Sequence, residues 1–158
     1  MNCIGISVFS TCPSLTTVII PTSVTSIGDW LCPGCSSLTS INIPEGVTSI
    51  GYGAFWSCHS LTSIIIPESV TSIGEKAFQD CPKLTSITIP KNVTSIGSYA
   101  FRGCYSLADM YCYAETLPSV GNEIFNSSNV SNATLYVPAS ALNKYKTTAP
   151  WSSFGNII

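Results

Sequence analysis

The chain has 158 residues, the length of one domain, and 9% of them are charged, against a typical value of about a quarter. The formal net charge of −2, with no basic cluster, excludes an electrostatic nucleic-acid binder, and no run reaches the roughly 18 to 20 apolar residues that span a bilayer. We therefore expect a single domain, residues 1–158, surfaced by Ser, Thr and Asn, that neither binds nucleic acid nor inserts into a membrane.

Residues 1–14 are predicted to be part of a repeat rather than a targeting segment. Residues 1–10 contain no Lys or Arg and no long apolar run, so they do not form a signal peptide. Ile4, Gly5 and Phe9 align instead with the I-G-x-x-A-F pattern of later copies. The chain is therefore expected to begin within a coil, with upstream sequence missing. The strand of residues 16–20 would then expose an edge that frays or pairs with a second chain.

A 23-residue repeat occupies residues 15–106 in four regular copies, each built from L-T-S-I-x-I-P, V-T-S-I-G and A-F-x-x-C. A fixed period of about 20 to 50 residues is the signature of a stacked repeat. The predicted fold is therefore a solenoid, which offers a long surface rather than a single cleft. The residues that mark the period are Leu15, Leu38, Leu61, Leu84 and Leu107, with Cys12, Cys35, Cys58, Cys81 and Cys104.

The copy at residues 38–60 shows how one coil is expected to fold. Residues 41–43 alternate inward and outward with the period of a strand, and Pro44, which has no amide donor, ends it. Residues 47–50 form a second short strand, Gly51 permits a backbone turn, and residues 54–55 begin a short turn or helical piece. The inward side chains, which only stacking can bury, are Leu38, Ile41, Ile43, Val47, Ile50, Ala54, Phe55 and Cys58.

A Thr-Ser pair recurs in the second strand of each coil. It stands at Thr48 and Ser49 in this copy and at residues 25–26, 71–72 and 94–95 in the others. Two interpretations remain open at this point: the hydroxyls hydrogen-bond along the stack, or they face water.

The repeat degenerates over residues 107–138, and residues 139–158 are predicted to form a C-terminal cap. Met110 and Cys112 replace the two strand isoleucines, and residues 120–125 match the I-G-x-x-A-F pattern after one inserted residue. Residues 140–146 favour a short helix with Leu142 and Tyr145 on one face. Terminal repeats must cover the stack, and the side chains expected to do so are Trp151, Phe154, Ile157 and Ile158.

The residues that could carry chemistry are better explained as structure. The five periodic cysteines of the eight in the chain form an inward ladder, expected to remain reduced because buried thiols behave as small hydrophobic groups. Cys32 and Cys35 form a lone C-x-x-C without a thioredoxin-like strand and helix pattern. His59 follows an inward cysteine and is expected at the surface. The sequence therefore predicts no catalytic, cofactor-binding or metal-binding residue.

The outward strand positions form two columns across the predicted concave face. One column is Ser- and Thr-rich, and it comprises Thr17, Ser40, Ser63, Ser86, Asp109 and Thr134. The second column varies, as a recognition surface does, and supplies the candidate partner-binding residues Ile19, Asn42, Ile65, Thr88, Tyr111 and Tyr136. β-propensity alone would also fill these positions. The competing surface is the set of loop aromatics Trp30, Tyr52, Trp56, Tyr99 and Tyr105.

Residues 4–128 resemble the BspA-type leucine-rich repeat family, through the L-T-S-I-x-I-P, V-T-S-I-G and A-F-x-x-C motifs. The ending at residues 133–138, with Tyr145 and residues 151–154, resembles the C-termini of such proteins from host-associated anaerobic bacteria. The resemblance implies a right-handed, β-rich leucine-rich repeat solenoid with short helical turns. It also implies a secreted or cell-surface protein, and it carries no shared catalytic residues.

We therefore interpret the chain as a non-enzymatic, secreted or cell-surface recognition and adhesion module without a cofactor. Its expected partner is a host or microbial surface protein or glycan, bound through the solenoid surface. The alternative is a structural spacer that presents another domain away from the cell. An enzyme that uses Cys32 or Cys58 is the least favoured class, because neither thiol has a catalytic partner in the sequence pattern.

Overall fold

The computed structural model describes residues 3–4, 7–10 and 12–158, with side chains from Ser7 onward. The chain winds as a β-solenoid whose successive coils stack their short strands into two parallel sheets. In chain order the elements are β1 (Cys3–Ile4), β2 (Ser26–Ile27), β3 (Ser49–Ile50), β4 (Ser63–Ile65), β5 (Ser72–Ile73), β6 (Ser86–Ile89), β7 (Ser95–Ile96), β8 (Asp109–Cys112), β9 (Ser119–Val120), β10 (Thr134–Tyr136), α1 (Leu142–Thr147) and β11 (Asn156–Ile157), with 3-10 helices at Val130–Asn132 and Trp151–Ser153.

The first sheet contains β1, β2, β3, β5, β7 and β9 in that order, and its strands are the V-T-S-I segments of successive coils. Ser26 pairs with Ser49, and Ser49 pairs with Ser72, so equivalent residues stack in register. Cys3 pairs with Ser26 and Ile4 with Ile27, which confirms that Ile4 is equivalent to the isoleucine of the later V-T-S-I segments. The predicted equivalence of Gly5 lies outside the described residues.

The second sheet has the order β11, β10, β8, β6, β4, and it consists of the L-T-S-I-x-I-P strands with the last strand of the chain. Two isolated bridges, Ile19 with Asn42 and Asn42 with Ile65, continue this register into the two preceding coils. Because side chains alternate across a strand, Ile64 and Ile87 point into the coil while Ile65 and Thr88 point outward.

The interior is a set of ladders, as the repeat predicts. The Phe55, Phe78, Phe101 and Phe125 rings stack with centroid separations of 5.5, 5.6 and 6.0 Å. The leucines from Leu38 to Leu107 are fully buried beside them. No coil could bury these side chains alone, so each coil contributes stability mainly through its neighbours.

The segments between the strands settle two of the sequence-based alternatives. Residues 54–55 lie in a hydrogen-bonded turn rather than a helix, with the Phe55 amide donating to the Ala77 carbonyl of the next coil. The Thr48, Thr71 and Thr94 hydroxyls donate to the Thr25, Thr48 and Thr71 carbonyls at 3.1–3.2 Å. The exposed threonines therefore hydrogen-bond along the stack as well as contacting water.

Gly51 is required because the backbone of the preceding coil lies close to it, and not because its own backbone adopts a conformation that other residues avoid. It has no positive φ, but a Cβ at this position would lie 2.7 Å from the Asp29 amide nitrogen of the preceding coil. A Cβ at Gly74 would lie 2.6 Å from the Gly51 carbonyl carbon. The recurring glycine thus permits the backbones of adjacent coils to approach each other.

The C-terminal segment covers the last coil. Trp151 and Phe154 contact the Phe125 ring edge-on at 5.7 and 5.2 Å, which closes the phenylalanine stack. Tyr145 of α1 is fully buried, and its hydroxyl donates to the Ala114 carbonyl at 2.9 Å. Ile157 is buried, but the expectation for Ile158 is wrong: its side chain is 54% exposed, while its amide extends the sheet by donating to the Leu135 carbonyl.

Candidate functional site: an outward strand ladder

The six candidate residues lie in one continuous column across the second sheet. Strand pairing places Ile65 beside Thr88, Thr88 beside Tyr111 and Tyr111 beside Tyr136, and the two bridges add Asn42 and Ile19. Parallel strands are about 4.8 Å apart, so this outward ladder crosses the sheet as a row of closely spaced side chains. The structure therefore brings together all six residues that the sequence places in this column.

Two aliphatic side chains on the outward ladder are unusually exposed. The exposed fraction is 91% for Ile19 and 75% for Ile65, whereas the inward neighbours Val18 and Ile64 are buried. A shallow depression of about 180 Å³ beside Ile65 is lined by residues 40–42 and 63–65. Exposed aliphatic groups in a row that nothing in the described chain covers are a feature of partner-binding surfaces.

The other end of the outward ladder is aromatic and carries a negative charge. The Tyr111 and Tyr136 rings stack with centroids 4.5 Å apart and planes 11° from parallel. Asp109 lies two residues before Tyr111 in β8 and therefore shares its face. Desolvation raises the pKa of the Tyr136 hydroxyl, and the charge and hydrogen-bonding of the nearby Asp109 carboxylate raise it further. The three side chains thus form one polar and aromatic cluster.

The role of Asp109 at this cluster was not predicted from the sequence, although a signal was present. Four Ser or Thr residues precede Asp109 in its column, so the carboxylate interrupts an otherwise uncharged series. Its proximity to Tyr136 depends on a side chain from the next coil and on the direction in which the tyrosine leans. Spacing alone does not specify either.

The competing loop aromatics form a cluster of their own along one side of the turns. Trp30 contacts Tyr52 edge-on at 4.8 Å and Trp56 at 5.7 Å. Trp30 has a φ of 54°, and its indole covers Gly53, where an added Cβ would lie 2.6 Å from the ring. A groove of about 370 Å³ runs beside Trp30 and Trp56. Mutual contact leaves both indoles only half exposed.

The cationic part of this loop surface is satisfied within the chain. Lys76 donates a hydrogen bond of 2.6 Å to the Tyr52 hydroxyl, which is the main cause of its raised pKa, and pairs with Glu75 at 3.5 Å. Its Nζ also lies 5.1 Å from the Tyr52 ring centroid and 5.9 Å from that of Tyr99. Tyr105 is exposed and outside this cluster. The loop surface therefore offers less unpartnered chemistry than the outward ladder.

The cysteine ladder has the properties of a packing element rather than of a reactive centre. The thiols of Cys35, Cys58, Cys81 and Cys104 each donate to a carbonyl in the preceding coil at 3.1–3.4 Å. Burial raises the pKa of Cys58 and of Cys104 to about 12. Thiolate is the reactive form of cysteine, so burial and the raised pKa both disfavour nucleophilic chemistry. All seven cysteines whose side chains the structure describes are free.

The remaining chemical candidates do not assemble into a site. Burial raises the pKa of the Cys32 thiol, with the nearby Cys35 thiol adding to the effect, so the C-x-x-C pair does not contain an activated thiol. His59 is exposed, whereas its neighbour Cys58 is fully buried. Within residues 3–4, 7–10 and 12–158, no group of three or more His, Cys, Asp or Glu side chains could hold a metal ion. No helix in the same ranges is long and apolar enough to cross a membrane.

The stacked coils, leucine ladder and parallel sheets define a leucine-rich repeat protein. The model of the BspA type leucine rich repeat region matches residues 2–132 in six copies, and the chain belongs to this family. A search of curated proteins finds no significant match.

The solved structures that are similar to the chain include two bacterial proteins. The leucine-rich repeat protein TpLRR of T. pallidum is 37% identical with a TM-score of 0.68, over 70% of this chain and 51% of that one. The pneumococcal vaccine antigen PcpA is 19% identical with a TM-score of 0.74, over 89% of this chain and 37% of that one, and supports the fold alone. The chain thus spans about half or less of the length of these proteins.

Proposed function

We propose that this chain is a non-enzymatic recognition module of a secreted or cell-surface protein, and that it binds a host or microbial surface protein or glycan through the outward ladder. The observation that carries the proposal is the in-register row from Ile19 to Tyr136, in which two aliphatic side chains and a tyrosine pair face away from a well-packed core. Membership of the BspA-type family supports a binding role.

Binding at the outward ladder is favoured over binding at the loop surface, because the loop side chains already contact one another within the chain. The loop cation and the tyrosines around it contact one another. Ile65 is mostly exposed, and its backbone is held in β4 by pairing with β6. A preorganised apolar surface loses little conformational entropy when it binds, so the outward ladder gives more affinity for each contact.

Binding of the whole chain to arrays of surface glycans and of host and microbial surface proteins would test this function. The informative variant combines Ile65→Ala, Tyr111→Ala and Tyr136→Ala, which we expect to weaken binding by at least about a hundredfold, since central aromatic and aliphatic contacts each contribute about 1–2 kcal/mol. The matched control combines Thr48→Ala, Thr71→Ala and Thr94→Ala on the first sheet, and it should retain binding.

Circular dichroism would first establish that both variants are folded. Binding that survives the triple ladder variant but is lost in Trp30→Ala/Trp56→Ala would move the site to the loop surface. Absence of any partner, together with unchanged adhesion of cells that display the triple ladder variant, would instead support the spacer alternative.

A further inference from the structure

The outward face of the second sheet carries a single charged residue. Of the twelve residues in its two outward columns, eleven are Ser, Thr, Asn, Ile or Tyr, and the twelfth is Asp109. Asp109 is partly exposed, and the one ion pair in the described part of the chain is that of Lys76 with Glu75, at the loop surface. A carboxylate on a face without a cation has charge complementarity with a basic group from outside.

The surroundings of Asp109 favour a cationic side chain in particular. Tyr111 lies on the same face of β8, and Tyr136 lies opposite it in β10 with the two rings parallel at 4.5 Å. Tyrosine faces attract cations through their negative π density, and Asp109 lies two residues before Tyr111 on the same face of β8. An arginine or lysine placed here would contact an aromatic surface and a full negative charge together.

We propose that the outward ladder recognises a protein partner through one arginine or lysine, held by Asp109 with the Tyr111 and Tyr136 pair, and through an aliphatic side chain on Ile65. Ile65 lies two strands from Tyr111, which corresponds to roughly 10 Å between the cationic and aliphatic positions. A neutral glycan would leave Asp109 without a counter-charge. This inference rests on the proposed function, because it specifies the partner chemistry of the same face.

Selection of a phage-displayed random dodecapeptide library on the intact chain would test the inference. Selected peptides are expected to share an arginine or lysine with an aliphatic residue nearby, and replacement of that arginine by neutral citrulline should weaken binding about tenfold or more. Asp109→Asn in the protein should produce a loss of similar size. The matched control is Glu68→Gln, which removes an exposed carboxylate outside the outward columns and should change the affinity by less than about twofold.

The outcomes separate this inference from the proposed function. If binding depends on Ile65 and Tyr136 but is unchanged by Asp109→Asn, the outward ladder remains the site and the cationic partner is excluded. If selected peptides bind normally to the Ile65→Ala/Tyr111→Ala/Tyr136→Ala variant, both proposals fail. Failure to select any peptide, or selection of peptides without a basic residue, also overturns the inference. Tyr136→Phe, which keeps the ring and removes the hydroxyl, provides a conservative variant if Asp109→Asn does not fold.

Discussion

At the scale of single residues, the buried thiols couple the stability of the core to pH. The thiols of Cys81 and Cys104 donate to carbonyls in the preceding coil, and burial disfavours their charged forms. Folding therefore raises the pKa of these cysteines above the unfolded value of about 9. Stability from a raised thiol pKa is fully present below the unfolded pKa and is lost as the pH rises toward the folded pKa.

We predict that the free energy of unfolding falls as the pH rises from 9 toward 12, because the unfolded chain ionises its thiols and the folded chain does not. With a folded pKa of about 12 for Cys104, this residue alone would cost on the order of 2 kcal/mol by pH 10.5. Cys104→Ala should reduce the slope of stability against pH, and Cys12→Ala, at a partly exposed position, is the control. Urea unfolding between pH 7 and pH 11 measures the free energy of unfolding at each pH. Equal slopes of this free energy against pH for wild type and Cys104→Ala would contradict the prediction.

At the scale of elements, two glycines in this chain are required for different physical reasons. Gly74 has no positive φ but lies against the backbone of the preceding coil. Gly46 has a φ of +100° and has open space around its Cα. A side chain is therefore opposed by steric overlap between coils at the first position and by local backbone strain at the second.

Gly74→Ala is expected to destabilise the protein by roughly 3 kcal/mol, since its methyl group would meet backbone that cannot rotate away. Gly46→Ala should cost only about 1 kcal/mol, the strain of a left-handed conformation. Denaturant midpoints of the two variants and the wild type measure the difference. A Gly46→Ala variant that is the less stable of the two would show that local conformation, rather than coil contact, limits this fold.

Much of the element structure followed from the repeat, because each inward position is specified independently in several coils. The phenylalanine ladder, the leucine ladder from Leu38 and the cysteine ladder from Cys35 were predicted in this way and are observed, whereas Cys12 and Leu15 are only partly buried. In the coils of Ile19 and Asn42, isolated bridges replace the predicted strand of the second sheet. The features that depend on pairs of residues from adjacent coils were not predicted. They include the placement of Trp30 over Gly53 and the association of Asp109 with Tyr136.

The six-residue outward ladder could be predicted as an arrangement, since parallel register follows from the constant period. The sequence could not decide whether this ladder or the loop aromatics are more available to a partner, because it does not show that Tyr52 and Tyr99 surround Lys76. The positive φ of Trp30 recurs at the equivalent positions Gly53, Lys76 and Tyr99, so it belongs to the repeated turn and not to the tryptophan side chain. The binding role of the ladder stays a prediction.

At the scale of the whole molecule, stability is expected to vary along the stack. Interior coils have a neighbour on each side, and the last coil is covered by Trp151 and Phe154. At the first coils, Ile19 pairs with Asn42 alone among the described residues, and through an isolated bridge rather than a strand. Because an isolated bridge holds the backbone with fewer hydrogen bonds than a strand does, these coils should open more readily.

We predict that amides of residues 12–20 exchange about a hundredfold faster than those of residues 61–89, because local opening requires less free energy where fewer strand hydrogen bonds hold the backbone. Hydrogen exchange at two protein concentrations measures this and distinguishes fraying from edge pairing. Fraying leaves the fast exchange independent of concentration, whereas association through the edge slows it as the concentration rises. Uniform protection in a protein shown to be monomeric by scattering would mean that the N-terminal coil is already covered.

The constant register determines how the outward ladder can change during evolution. Pairing persists from Ile96 to Val120 although that coil is one residue longer, so length differences are absorbed in the connecting turns. Duplication of a 23-residue unit would thus insert one row and move the acidic and aromatic end about 4.8 Å farther from Ile19. Each duplicated coil would therefore change the distance between the aliphatic and the aromatic end of the outward ladder by one strand spacing, while the residues at both ends stay the same.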